Sequence, residues 1–191
     1  MNSIVTQLSG LVVDVGTILL LVLVFTAMVF DMRSHRIPNW LVSAGLLIAV
    51  AFHACVFGGS GLGYALKGAA VGLGLFIPLY MLRAMGAGDV KLMAMVGAFL
   101  GPASTLGAVL TTLLAGGVLA IAFALSKGVL PVMFANVRFM MTHACVKAMS
   151  GVGVGLEPLT RTAAKLPYAV AIAAGTFIHV MLVRSGHALV G

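Results

Sequence analysis

Apolar runs of up to about twenty residues, joined by segments that carry almost all of the charge, leave this chain few ways to fold. Backbone N–H and C=O groups that leave water need internal partners, and a helix of about 20 residues satisfies them while crossing about 30 Å of hydrocarbon. The runs lie at 11–30, 40–57, 68–85, 90–100, 105–125 and 167–183. They predict an all-α, polytopic membrane protein with about six transmembrane helices. Charged residues make up 8% of the chain, where an ordinary soluble domain has about a quarter. With 62% hydrophobic residues and a mean hydropathy of +1.20, a soluble globule is excluded. The 90–100 run is short for a crossing, so its helix is expected to extend into the Gly-rich loop before it or into Gly101 and Pro102 after it. The first run has no basic stretch ahead of it and exceeds the length of a signal-peptide core, so it reads as a retained crossing.

The net charge of +7 would point to nucleic acid in a soluble protein. Here the basic residues sit between the apolar runs or near their ends and act as topology signals, so the expected partner is the lipid bilayer and no nucleic acid. Arg33, Arg36, Arg83, Lys91, Lys127, Arg138, Lys147, Arg161 and Lys165 fall on one side of a six-span layout, Lys67 and Arg184 on the other. Positive loops stay in the cytoplasm. Both termini are therefore expected outside, and the segments after the first run and before the fourth open on the cytoplasmic face. The long connection 127–166 mixes apolar and basic positions and predicts an interfacial cytoplasmic segment within a single membrane domain spanning 1–191. Cys55 and Cys145 lie far apart with no Cys/His cluster, so neither a disulfide framework nor a zinc site is expected.

The chain has four acidic residues: Asp14, Asp31, Asp89 and Glu157. An ionisable group at membrane level is costly and normally kept for a function. Asp31 ends the first apolar run inside FDMRSHRIPNW; Asp89 opens the fourth inside GAGDVKLM. Each has a structural alternative, as a helix-end partner of Arg33 or Arg36 for Asp31 and as a helix cap for Asp89. Both fall on the same expected face, where the two can meet. Adjacent carboxylates cannot both ionise easily, so their proton affinities separate and the pair can share one proton. One can then activate water while the other donates to a carbonyl, which is peptide hydrolysis without metal or covalent intermediate. Gly86 and Gly88 are expected to shape the loop and let a substrate backbone approach. Pro38 ends one helix and opens the next, followed by Asn39, and Lys91 is expected at the headgroups or stabilising the loop.

The pair D-x-R-x-x-R-I-P-N and G-x-G-D-V-K resembles the type IV prepilin peptidases, the GxGD aspartyl proteases of bacterial membranes. The resemblance implies Asp31 and Asp89 as the catalytic pair, with Gly86, Gly88, Lys91, Pro38 and Asn39 as loop-shaping or substrate-binding residues. It also implies a bacterial inner-membrane location, no metal or cofactor, and a prepilin or pseudopilin substrate cut at the cytoplasmic face. Long members of the family carry an N-terminal cytoplasmic region, often with CxxC, and methylate the new amino terminus. With ten residues before its first run, this chain resembles the short, peptidase-only forms of tight-adherence (Flp-type) pili.

Two other classes stay open. A small proton-coupled transporter would relay protons through Asp14, Asp31 and Asp89, and a noncatalytic pilus-assembly scaffold would leave precursor processing independent of Asp31. Asp14, near the outer end, is expected to be paired or hydrated, and Glu157 solvated. His35 is a candidate to tune Asp31 or meet substrate. His53 and His179, in apolar runs, are expected to hydrogen-bond between helices. The twelve methionines form no metal-binding series and are read as packing.

Overall fold

The computed structural model describes residues 2–82, 85–128 and 168–186, with 131, 135, 138 and 142. Every regular element among them is a helix: α1 (Asn2–Ser34), α2 (Asn39–Met81), α3 (Ala87–Leu100), α4 (Pro102–Ser126) and α5 (Tyr168–Arg184). Three stretches are long and apolar enough to cross a membrane, Asp14–Ser34, Asn39–Met81 and Pro102–Ser126, and α5 is a shorter apolar helix. On α1 the outward residues Ile18, Val22, Phe25 and Val29 recur every three or four positions. A lipid-facing helix looks like this, with its apolar stripe on the outside. The chain is a membrane protein built from helices.

The helices extend beyond the expected runs. α1 continues N-terminally of Leu11, and α2 takes in the stretch 58–67 that separates two expected crossings. Within α2, Gly58 sits at φ 62 and ψ −144, a conformation that costs a residue with a Cβ. The chain doubles back there: the rings of His53 and Tyr64 lie 5.5 Å apart, where eleven residues of straight helix would separate them by about 16 Å. Contacts with α3 agree. Asn39 meets Lys91 and His53 meets Phe99, so the first arm runs alongside α3 in the same direction. Gly72 abuts Met93 and Gly68 abuts Gly97, so the second arm runs opposite.

α3 is central. From Asp89 to Phe99 every residue except Lys91 is buried, which explains how a helix of 14 residues sits in this bundle: protein, rather than lipid, surrounds it. Its Met93, Met95 and Val96 pack with Leu20 and Val24 of α1, Phe76 of α2 and Ile172 of α5 in one apolar core. A Cβ on Gly68 or on Gly97 would overlap the other residue's carbonyl oxygen. Glycine at both positions is what lets the two backbones touch. Gly175 of α5 likewise abuts the Thr112 backbone of α4, and Thr111 Oγ1 donates to the Gly175 carbonyl at 2.8 Å.

The chain divides into two units, Met1–Gly116 with Pro167–Gly191, and Gly117–Leu166. In the second, α4 runs to Ser126 and ends in a turn at Gly128, φ 65. The expected interfacial segment falls outside the described residues except at isolated helical positions, among them Arg138, whose carbonyl accepts from Thr142 Oγ1 at 3.0 Å. Glu157 also lies outside them.

Candidate active site

Asp31 stands in the last turn of α1, and α1 ends because His35 turns left-handed, at φ 49, with its N–H returning to the Asp31 carbonyl at 2.8 Å. Ser34 Oγ closes the same end by donating to the Phe30 carbonyl at 2.8 Å. Pro38, extended at φ −62 and ψ 130, caps α2, which opens at Asn39. The Asp31 side chain turns inward and is 8% exposed. Its Oδ2 accepts the backbone N–H of Ala169 at 3.2 Å, in the first turn of α5. A carboxylate at a helix C-terminus faces the unfavourable end of its own dipole, and the N-terminus of a second helix compensates.

Asp89 occupies the third position of α3, ahead of the apolar run 90–100, and is 9% exposed. Its Oδ2 accepts the Gly86 N–H at 3.0 Å, so it does cap its own helix. Gly86 is extended at φ −83 and ψ 157, a conformation open to any residue, and Gly88 lies within the helix. Neither position therefore needs the left-handed backbone that glycine alone adopts freely. Space does not demand glycine either: a Cβ on Gly88 would lie 3.4 Å from Ile37, and one on Gly86 3.4 Å from the Asp89 carboxylate, both ordinary contacts. Lys91 Nζ donates to Asn39 Oδ1 at 3.1 Å, tying the start of α3 to the start of α2.

The ends of α1 and α3 thus bring two buried carboxylates into each other's field. The Asp89 carboxyl is pushed up from 3.8 to about 6, chiefly by burial, with the Gly86 N–H opposing and the neighbouring Asp31 charge adding to the rise. Tyr168, at the start of α5, lies within electrostatic reach of Asp89. A carboxyl acid that keeps its proton toward neutrality beside a second carboxylate is the arrangement that acid–base hydrolysis needs.

Asp14 is not part of this group. It pairs with Arg184, about five helical turns from Asp31 along α1. His35 is exposed and serves the α1 terminus through its backbone. The N-terminus of α5, with Ala169 and Tyr168, had no place among the expected site residues. The one sequence signal was Pro167 just ahead of Tyr168, a helix-opening residue that says nothing about what the helix end will meet.

The sequence model of the type IV leader peptidase family matches residues 18–125, more than half of the chain and inclusive of Asp31, Asp89 and the loops around them. The chain belongs to the type IV leader peptidase family. This membership makes it a membrane-associated peptidase of the prepilin-processing kind in the broad sense. The chain matches no curated protein and no solved structure. Within this leader peptidase the matched region covers the last turns of α1, all of α2 and α3 and nearly all of α4.

Proposed function

We propose that this leader peptidase is an aspartic endopeptidase that removes the leader from type IV prepilins of the Flp kind at the cytoplasmic face of the bacterial inner membrane. The observation that supports the reading is that Asp31 and Asp89, 58 positions apart in sequence, are both buried and lie within electrostatic reach of one another, Asp31 contributing to the raised proton affinity of Asp89. Asp31, accepting the Ala169 N–H, takes the proton of a water whose oxygen attacks the scissile carbonyl carbon. Asp89 gives its proton to the carbonyl oxygen. As the tetrahedral diol collapses, one hydroxyl returns its proton to Asp89, the C–N bond breaks, and the proton held by Asp31 passes to the leaving amine.

The leader's basic residues remain on the cytoplasmic side while the hydrophobic pilin helix packs against the bundle, which holds the scissile bond near the interface. Six crossings fit this layout if the two arms of α2 each count as one; the fold-back at Gly58 supports that count. Gly88, beside Ile37, and the Lys91–Asn39 bond tie the start of α3, which carries Asp89, to the segment that follows α1, which carries Asp31.

The test is cleavage of a Flp-type prepilin by the purified protein in liposomes, beside Asp31→Asn and Asp89→Asn. Wild type is expected to release the leader, located by mass spectrometry, and each variant to lose at least about a thousandfold in rate while keeping its thermal transition. Equal processing by all three would overturn the aspartic mechanism and return the scaffold reading.

A further inference from the structure

α5 brings a side chain as well as a main-chain N–H to the candidate site. It lies against α4 in the opposite direction: His179 meets Gly107, Gly175 meets Thr112, and Tyr168 meets Gly116. The start of α5 therefore stands at the end of the bundle where α1 closes, and there the Ala169 N–H reaches Asp31 Oδ2 at 3.2 Å. That nitrogen is bonded to the carbonyl carbon of Tyr168, so the Tyr168 main chain adjoins the Asp31 carboxylate.

The Tyr168 side chain is held along its length. Its ring is half-buried and packs on the apolar core. Its hydroxyl rests against α4 where glycine leaves room: a Cβ on Gly116 would lie 3.1 Å from the oxygen, closer than such atoms normally approach. Among the described residues nothing hydrogen-bonds that oxygen, and, unlike the ring nitrogens of His179, it is not sealed in the interior. Tyrosine hydroxyls set among apolar groups normally find a partner. A tyrosine that only anchors a helix at the interface points to lipid headgroups, whereas this ring packs inward. Asp89 is near enough for its charge to act on Tyr168, yet its carboxyl is held by the Gly86 N–H and not by the phenol. Asp89 and the Tyr168 hydroxyl are thus two donors near one another with no hydrogen bond between them.

A peptide carbonyl oxygen can accept from two donors at once. As water attacks, negative charge develops on that oxygen, and a donor already in place stabilises it without reorganising. We infer that Tyr168 is a third catalytic residue, its hydroxyl donating a hydrogen bond to the scissile carbonyl oxygen while Asp89 protonates it. The inference rests on the aspartic endopeptidase reading. The phenol keeps its own proton throughout, so the exchange among Asp31, Asp89 and water is unchanged.

The experiment is Tyr168→Phe in the full chain, reconstituted in liposomes beside wild type, Asp31→Asn and Asp89→Asn, with a Flp-type prepilin as substrate. Phenylalanine keeps the ring and its packing, so Tm and KM should hold while kcat falls about tenfold to a hundredfold. Two peptides spanning the cleavage point, one with hydroxyethylene and one with plain ethylene in place of the scissile amide, give a readout that packing alone does not move. The hydroxyl-bearing peptide should bind the variant about tenfold more weakly than wild type, and the ethylene peptide should bind both equally. Unchanged kcat, or equal weakening of both peptides, would overturn the assignment and leave Tyr168 a packing residue. The two failures are distinguishable. Wild-type processing by Asp31→Asn and Asp89→Asn would remove the aspartic reading itself; inactivity of both beside a fully active Tyr168→Phe would remove this inference alone.

Discussion

At the level of single residues the proposed chemistry turns on how differently two carboxylates are held. Asp89 is pushed up to about 6 because burial, the largest cause, outweighs the Gly86 N–H. A proton donor with that value is lost as pH rises through it, so the alkaline limb of kcat/KM for the free enzyme is expected at about 6. In the substrate complex, where water is further excluded, the limb in kcat should move higher. Since burial leads and Asp31 contributes least, Asp31→Asn should lower the Asp89 value only in part; infrared titration of the protonated carboxyl band checks this. A return of the band to 3.8 would mean that Asp31 dominates. Ala169→Pro deletes the N–H given to Asp31 at a first-turn position where proline is tolerated, and its ring adds two carbons where Ala169 is fully buried. One hydrogen bond to a charged group corresponds to about 1.5–3 kcal/mol, so kcat is expected to fall about tenfold to a hundredfold with KM nearly unchanged and Tm lowered by the tighter packing. An unaltered kcat would remove that N–H from the mechanism. Asp31 and Asp89 were legible in sequence because acids are so scarce here. Ala169 was not, because its part is played by a backbone atom 138 positions away.

Between elements, the contact that places Asp89 is the seam of α2 and α3. Gly68 and Gly97 meet backbone to backbone, and α3 presents Asp89 at the end of that seam. Gly97→Leu must push the helices apart, which should lower stability by about 1–3 kcal/mol and cut cleavage by about a hundredfold if Asp89 shifts by an ångström. Gly74→Ala is the matched control: a Cβ there meets nothing within 4 Å, and both quantities should stay at wild-type values. Thermal denaturation in detergent with parallel cleavage assays distinguishes them. Loss in both variants would show that helix propensity, not the seam, is at issue. Gly68, Gly72 and Gly74 are equally small residues of one apolar run, yet only the first two abut a neighbouring backbone. Which face of a helix meets a neighbour depends on rotation about its axis, and a nearly uniform apolar run carries no period to fix that rotation.

For the whole molecule, the proposed layout puts Asp31 and Asp89 on the cytoplasmic face and the Gly58 fold-back on the other. With Cys55 and Cys145 replaced by Ala, Ser34→Cys should react with an impermeant maleimide in inverted vesicles, and Ser60→Cys in spheroplasts. Reaction of both from one side would exclude the fold-back as a membrane re-entry. The apolar runs by themselves determined that the chain is helical and lives in a bilayer, since continuous apolar stretches near twenty residues suit a spanning helix, whereas a barrel strand would be about half as long and alternate. The basic residues between the runs supplied an orientation, and two short motifs around two rare aspartates supplied the family. Only the tertiary structure decided that α2 reverses at a single glycine, and that α3 can be short because protein encloses it. It alone set the N-terminus of α5 against Asp31. Local composition fixes where a residue can be comfortable; which residue it touches is fixed by the packing of helices that the sequence leaves free to rotate and slide.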